Sequence, residues 1–186
     1  MTVLSAQSIQ RRLRPSAVPA FVLEIDPFVA EAKQYLGKSY GLTAAGYDIR
    51  LGKLRHPKRH GEIVQSCWLL PGKFMLAASL ERMRIPVDIQ AVVHDKSSWA
   101  RKGLALQNTV LEPGWEGYIT LELSNHGHNA IEIKTGMPIA QVVFHELDSP
   151  TNRPYSGKYQ HQSDTPTYAI DAEDTEEEVT DESEGA

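Results

Sequence analysis

The chain has 186 residues, 41% of them hydrophobic and 8% aromatic, and a formal net charge of −5 at pH 7. That length and apolar fraction suit one soluble domain with a single core and exclude a wholly disordered chain. No apolar run approaches the roughly 20 residues of a membrane helix, and the N-terminal stretch has no apolar signal core, so a cytoplasmic protein without a membrane partner is expected.

In chain order, Ser5 is placed to cap a short helix ending near Leu13, with Leu4 and Ile9 spaced as a hydrophobic staple. Ser8 stands where a capping box would need Glu or Gln, so the reciprocal bond is absent. Asp26-Pro27, then Phe28 to Leu36, then Gly37, reads as a second helix with Asp at the cap, Pro at the first position and Gly just past the end. From Tyr47 onward the texture changes to short runs: Tyr47 to Leu51, Phe74 to Leu80, Ile89 to His94, Tyr118 to Leu123, Ile131 to Ile133 and Gln141 to Phe144. Pro71-Gly72, Pro113-Gly114, Asn125-His126-Gly127 and Thr135-Gly136 punctuate them. Many short strands between turns predict a mainly β sandwich or barrel.

Between those strands, Arg55 to His60 forms a basic loop without interleaved aromatics, which points to a solvated surface rather than a nucleic-acid contact. Cys67 is the only cysteine and sits in the apolar run Cys67-Trp68-Leu69-Leu70, so it forms no internal disulfide and is expected as a buried thiol. Lys96-Ser97-Ser98-Trp99-Ala100-Arg101 concentrates hydroxyls and cations. If it coils into a helical turn, Ser97, Ser98 and Arg101 share one side, where they suit either a phosphate or a plain capped surface turn. Along Tyr118 to Leu123 the period of two puts Ile119, Leu121 and Leu123 on an apolar face and Tyr118, Thr120 and Glu122 on the other. Glu122 is thus either a solvated strand glutamate or a carboxylate aimed at a ligand. Residues 163–186 hold 10 acidic side chains and no Lys or Arg, whereas residues 1–162 carry 19 basic against 14 acidic residues, a net +5. A domain over 1–162 and an acidic, solvating, disordered tail over 163–186 follow, and the basic body suits an anionic ligand.

Several motifs together resemble the dCTP deaminases of the dCTP deaminase/dUTPase superfamily. They are Asp48-Ile49-Arg50-Leu51-Gly52, the Lys96 to Leu104 stretch with its Ser-Ser-x-Ala-Arg, Pro113-Gly114-Trp115-x-Gly117 with Leu121-Glu122, Gly136-Met137-Pro138-Ile139-Ala140-Gln141, and Arg153-Pro154-Tyr155 with Lys158-Tyr159-x-x-Gln162. The glycine-rich phosphate loop that closes ordinary dUTPases is missing. The resemblance implies a distorted jelly roll of the dUTPase-like type that forms a homotrimer with sites between subunits. It implies conversion of dCTP to dUTP and ammonia, with Glu122 as general base and proton shuttle, Ser97 positioning the water and Arg101 near the carboxylate. It places Lys96, Ser98, Tyr155, Lys158 and Gln162 around the triphosphate, and Trp115 either near the deoxyribose or simply in the core. Magnesium would enter on the substrate phosphates, with no protein side chain as ligand. For Asp48 a buried structural role, bonded to backbone, is favoured over catalysis.

Zinc deaminases need a His or Cys triad with a Pro-Cys-x-x-Cys run. One cysteine and seven scattered histidines do not build it, so a zinc-free reaction is expected. The segment Ala105 to Glu112 is about two residues shorter than in the deaminases it resembles and lacks their Ala-His pair. Base preference and feedback by dTTP are therefore left open. Glu112 stands where dUTPases carry a water-holding Asp, and dUTPase or bifunctional deaminase/dUTPase activity is the alternative reading. A non-catalytic nucleotide-binding regulator is the other, against which the combination of Glu122, Ser97 and Arg101 speaks.

Overall fold

The computed structural model describes residues 2–14, 16–58 and 61–171. The chain begins with β1 (Thr2–Val3) and helix α1 (Ala6–Arg12), whose N-cap Ser5 accepts from the Ser8 amide. Leu4 and Ile9 are both buried, as the staple spacing predicts. A 3-10 turn (Pro19–Phe21) leads to β2 (Glu24–Asp26), β3 (Lys33–Tyr35), β4 (Lys38–Thr43), β5 (Gly46–Arg55), β6 (Ile63–Val64) and β7 (Ser66–Leu69). The long β8 (Phe74–Arg84) and β9 (Ile89–Asp95) precede the single-turn helix α2 (Ser97–Ala100). The chain continues through β10 (Leu104–Leu106), β11 (Thr109–Leu111), β12 (Glu116–Asn125), β13 (Ile131–Lys134) and β14 (Pro138–Glu146).

All six expected strands are present, and the architecture is the mainly β, distorted jelly-roll type. The second expected helix is not. Val29 donates its N–H to Tyr47 Oη and its carbonyl accepts from the Leu42 amide, so this backbone serves β4 and β5 instead of a helix ladder. Downstream, β3 and β4 form a hairpin closed at Leu36-Gly37, with φ of 53° and 68°. A type I′ turn requires the same positive φ as a helix C-terminal cap, so Gly37 signals both structures equally.

The principal sheet runs β10-β12-β8-β5-β14-β9-β11, with β1, β2, β3, β4 and β6 attached at its sides. Its two ends, β10 and β11, are separated in sequence only by Gln107 and Asn108, so the sheet curls back on itself. The corner is β5. Its first half, Tyr47 to Arg50, pairs with β14, and its second half, from Leu51, pairs with β8 and β6. The register shifts between Leu51 and Leu54, and a Cβ on Gly52 would come within 2.7 Å of the Ser79 carbonyl, so glycine permits the close crossing. The core lies inside the curl, with Tyr47, Ile49 and Leu51 of β5, Met83 of β8, Ile89 of β9, Leu123 of β12 and Phe144 of β14 essentially inaccessible. β7 and β13 form a separate two-stranded ribbon. On it Cys67 is buried as expected, while the adjacent Trp68 is 59% exposed.

Beside the corner, Glu81 has no exposed surface and accepts from both the N–H and the Nε of Arg50 at 2.8 and 2.7 Å. Burial nonetheless raises its pKa, and the Arg50 contacts oppose that rise. Nearby, Ser79 Oγ donates to the Glu81 carbonyl and accepts from the Ile119 amide, where the β8–β12 register shifts. Removing Arg50 strands a buried charge. Arg50→Ala should lower unfolding stability by about 3–5 kcal/mol near pH 7. Because the Glu81 pKa lies above its ordinary value in the folded state, and rises further without Arg50, protonation relieves the defect. The deficit should shrink as the pH falls through that raised pKa, as read by urea titrations of both proteins near pH 7 and near pH 5; an equal deficit at both would reject this account.

Candidate active site

β12 delivers the alternation read from its sequence, with Ile119, Leu121 and Leu123 buried and Thr120 and Glu122 facing outward from that layer. What lies above the outward face is a cavity of about 460 Å³. Glu122 lines it together with Glu112, Trp115, Tyr155 and Gln162, five residues singled out by their motifs. Leu76 of β8, cross-strand from Glu122, and Phe74, Val110 and Ile119 supply apolar walls. Glu122 has no side-chain bonding partner among the described residues, and burial in these walls raises its pKa, opposed more weakly by its own backbone N–H. A carboxylate so placed takes up a proton more readily than one in water. Trp115 is buried as its core reading expects, at 5% exposure, donates Nε1–H to the Tyr159 carbonyl and also lines the cavity.

The segment after β14 runs over this cavity. Gln162 forms a parallel bridge with Gly117, whose φ is 150°, and accepts from the Tyr118 amide. A Cβ on Gly117 would sit 2.7 Å from the Gln162 nitrogen, so only glycine admits the contact. Gln160 pins the same segment. Its Nε2 donates to the Gly114 carbonyl and its Oε1 accepts from the Glu116 amide. The docked stretch continues past residue 162. Lys53 pairs with Asp164, the Thr167 amide donates to Thr120 Oγ1, and Thr167, Tyr168 and Ala169 line the cavity. Arg55, expected in a solvated basic loop, is instead the last residue of β5, donates to the Pro166 carbonyl and stacks on Tyr168. Lys158 is exposed and bonds the Ile170 carbonyl. Residues 163–171 thus lie on the body, and the remainder of the acidic tail, 172–186, falls outside the described residues.

Ser97, Ser98 and Arg101 are brought together on and just after α2, where the Arg101 amide donates to the Ser97 carbonyl. They do not line the Glu122 cavity. Arg101 instead borders a separate groove with Trp99 and Lys102. The Ser98 hydroxyl is buried without a hydrogen-bond partner among the described residues. Lys96 is occupied inside the fold, its ammonium held by Asp48 and Ser39. Asp48 is buried as expected, but its partners are the side chains of Lys96, Ser39 and Gln141 rather than backbone. Sequence reasoning placed Thr120 on the face of Glu122 but missed Gln160, Thr167 and Tyr168, which carry no signal until the segment docks.

These features match a known family. The family described as dCTP deaminase-like matches residues 3–147. The chain belongs to the dCTP deaminase-like family. It is 34% identical to a dCTP deaminase of Pyrococcus horikoshii over 143 residues, covering 73% of this chain and 83% of that protein. It is 36% identical to a dCTP deaminase of Roseiflexus castenholzii over 183 residues, covering 88% and 96%. A 2′-deoxycytidine 5′-triphosphate deaminase from Agrobacterium tumefaciens shares the fold, with a TM-score of 0.54 at 20% identity over 77% of this chain and 48% of that one.

The Gly117 contact is testable on its own. Gly117→Ala should release the 153–170 segment, and trypsin cleavage after Lys158 should accelerate by at least about tenfold, the scale of one strained φ plus a backbone clash. Unchanged cleavage would mean that the segment is held elsewhere.

Proposed function

We propose that the protein deaminates dCTP hydrolytically, giving dUTP and ammonia for the supply of thymidine nucleotides. The observation that carries the reading is a half-buried carboxylate with raised proton affinity, Glu122, in an apolar-walled cavity of a dCTP deaminase-like chain. In this reading Glu122 takes a proton from water as the oxygen attacks C4 of cytosine. It then returns a proton to the exocyclic nitrogen, the C4–N bond breaks, and ammonia leaves. Ser97 orients the water and Arg101 steadies the carboxylate. Tyr155, Lys158, Gln162 and Ser98 hold the triphosphate, which brings magnesium with it, and no zinc takes part.

Because Ser97 and Arg101 sit outside the Glu122 cavity of their own chain, the reading also needs a second copy to present its α2 to that cavity. We propose a homotrimer, acting in the cytoplasm, with each site shared between subunits. Exposed Phe74 and Val110 at the cavity favour such a contact. Among the described residues no helix is long and apolar enough to cross a membrane.

Glu122→Gln should lower deamination by at least about 100-fold, the scale of general base catalysis, while dCTP still binds. In the unmutated protein kcat/KM should fall with decreasing pH through a midpoint above the ordinary glutamate value of 4.5, because the base must be ionised and its pKa is raised. Turnover by the variant at near the original rate would remove Glu122 from the mechanism.

The product is predicted from Glu112. It lines the cavity, but its side chain is one methylene longer than the Asp that holds the second water in dUTPases. A water displaced by about 1 Å can cost on the order of 100-fold. Chromatography of dCTP reactions should therefore show dUTP with little dUMP. Stoichiometric pyrophosphate that disappears in Glu112→Gln would establish the bifunctional reading instead.

A further inference from the structure

Three lysines converge on α2, and only one is neutralised. Lys96 is paired with Asp48. Lys38 and Lys102 instead stand over the ring of Trp99, with Nζ 3.9 and 5.3 Å from its centroid. Neither has a carboxylate partner among the described residues. The indole is fixed from below, since it is 6% exposed and its Nε1–H bonds the Pro138 carbonyl at 2.6 Å. Lys38 is fixed from its own side as well, because it is the first residue of β4 after the tight Leu36-Gly37 turn. Leu36 of that turn borders the same groove as Trp99, Arg101 and Lys102. A cation–π contact orients an ammonium without neutralising it. Burial and the positive charges of Lys102 and Lys96 accordingly lower the pKa of Lys38. Like charges crowded on one rigid ring, beside an exposed Arg101 and a Glu132 already paired with Lys134, are stabilised most by a multiply charged anion.

We infer that Lys38 and Lys102, clamped on Trp99, are polyphosphate-binding residues of this chain and take the charge-neutralising role at α2 that Lys96, tied to Asp48, does not fill. The inference rests on the proposed nucleotide chemistry for its place in catalysis, because the phosphates of dCTP are the polyphosphate it assigns to α2. It does not rest on that chemistry for binding, which inorganic tripolyphosphate probes directly. Lys38 lies outside the motifs that carry the family resemblance, and Lys102, although inside the Lys96 to Leu104 stretch, is not among the site residues that the resemblance implies. Lys38 comes from a hairpin that the sequence disguises as a helix, and only the fold brings it to Trp99.

The test is calorimetric titration of the full-length protein with inorganic tripolyphosphate, dCTP and dCMP, using Lys38→Gln, Lys102→Gln and the double variant. Lys38→Arg serves as the charge-retaining control, and Lys73→Gln as a control in a lysine that lines a different cavity. Each glutamine variant should weaken tripolyphosphate and dCTP about five- to tenfold, the range of one charge-assisted contact. The double variant should be weaker still, affinity for dCMP should change less than twofold by the same reasoning, and Lys38→Arg should restore most of the loss. Deamination by the double variant should show a raised KM with kcat nearly retained. Tripolyphosphate bound equally well by the double variant and the unmutated protein would overturn the inference. If the unmutated protein does not turn over dCTP but the tripolyphosphate losses appear, the deaminase reading fails and the polyphosphate assignment stands. If dCTP is turned over and those losses are absent, the reverse holds. Loss of dCMP affinity to the same extent, or a lowered melting temperature in every variant including Lys38→Arg, would assign the lysines to structure instead.

Discussion

A buried carboxylate at the corner of the sheet fixes the geometry on which the site depends. Glu81 sits where β5 leaves one half of the curled sheet for the other, and its two oxygens are occupied by the backbone and side chain of Arg50. A charge with no exposed surface tolerates very little displacement, since losing either bond leaves it desolvated and unpaired. The corner is therefore rigid. Ser79 transmits it to β12 by satisfying the Ile119 amide at the register shift, which sets the level at which Thr120 and Glu122 emerge over the cavity. The strand that carries Glu122 is positioned by polar bonds inside the core as much as by its apolar face.

The covering of the cavity follows a different logic. The 153–170 segment has little regular structure and makes scattered contacts: a bridge at Gly117, amide bonds through Gln160, an ion pair at Lys53 and a stacked Arg55. Many contacts of modest strength, several of them solvent-exposed, give a segment that opens at a lower free energy than the sheet beneath it. That division between a rigid floor and a labile cover suits the proposed reaction, in which a nucleotide must be admitted and then closed off from bulk solvent with a single attacking water.

Charge within the chain is sorted in the same way. The carboxylate proposed as base has no side-chain partner among the described residues, and burial in its cavity raises its proton affinity. Lys38 and Lys102, held over the indole beside the α2 groove, have no carboxylate partner among the described residues, since Glu132, which lines that groove, is paired with Lys134. In a single chain these two unsatisfied surfaces do not meet. A shared site would bring a base, a hydroxyl and the phosphate-binding cations to one substrate, and assembly would then be part of the chemistry.

How much of this was legible in the sequence depends on the range of the interaction. The period of two along Tyr118 to Leu123, the Ser5 cap and the turns at Pro71-Gly72 and Pro113-Gly114 act over a few residues, and the fold keeps them all. The motifs around Glu112, Trp115, Glu122, Tyr155 and Gln162 likewise named residues that one cavity gathers. The helix expected over Phe28 to Leu36 failed because Gly37 and its neighbours satisfy two local structures equally, and the choice fell to Tyr47 and Leu42, which lie beyond that window. Lys96 read as a free cation because Asp48 lies 48 residues away and meets it only once the strands have paired. The same holds for Arg55 against Tyr168 and for Lys38 over Trp99. Local chain stiffness and side-chain alternation are intrinsic to the sequence, whereas the partner of a charge is set by which strands become neighbours, and that only the tertiary structure decides.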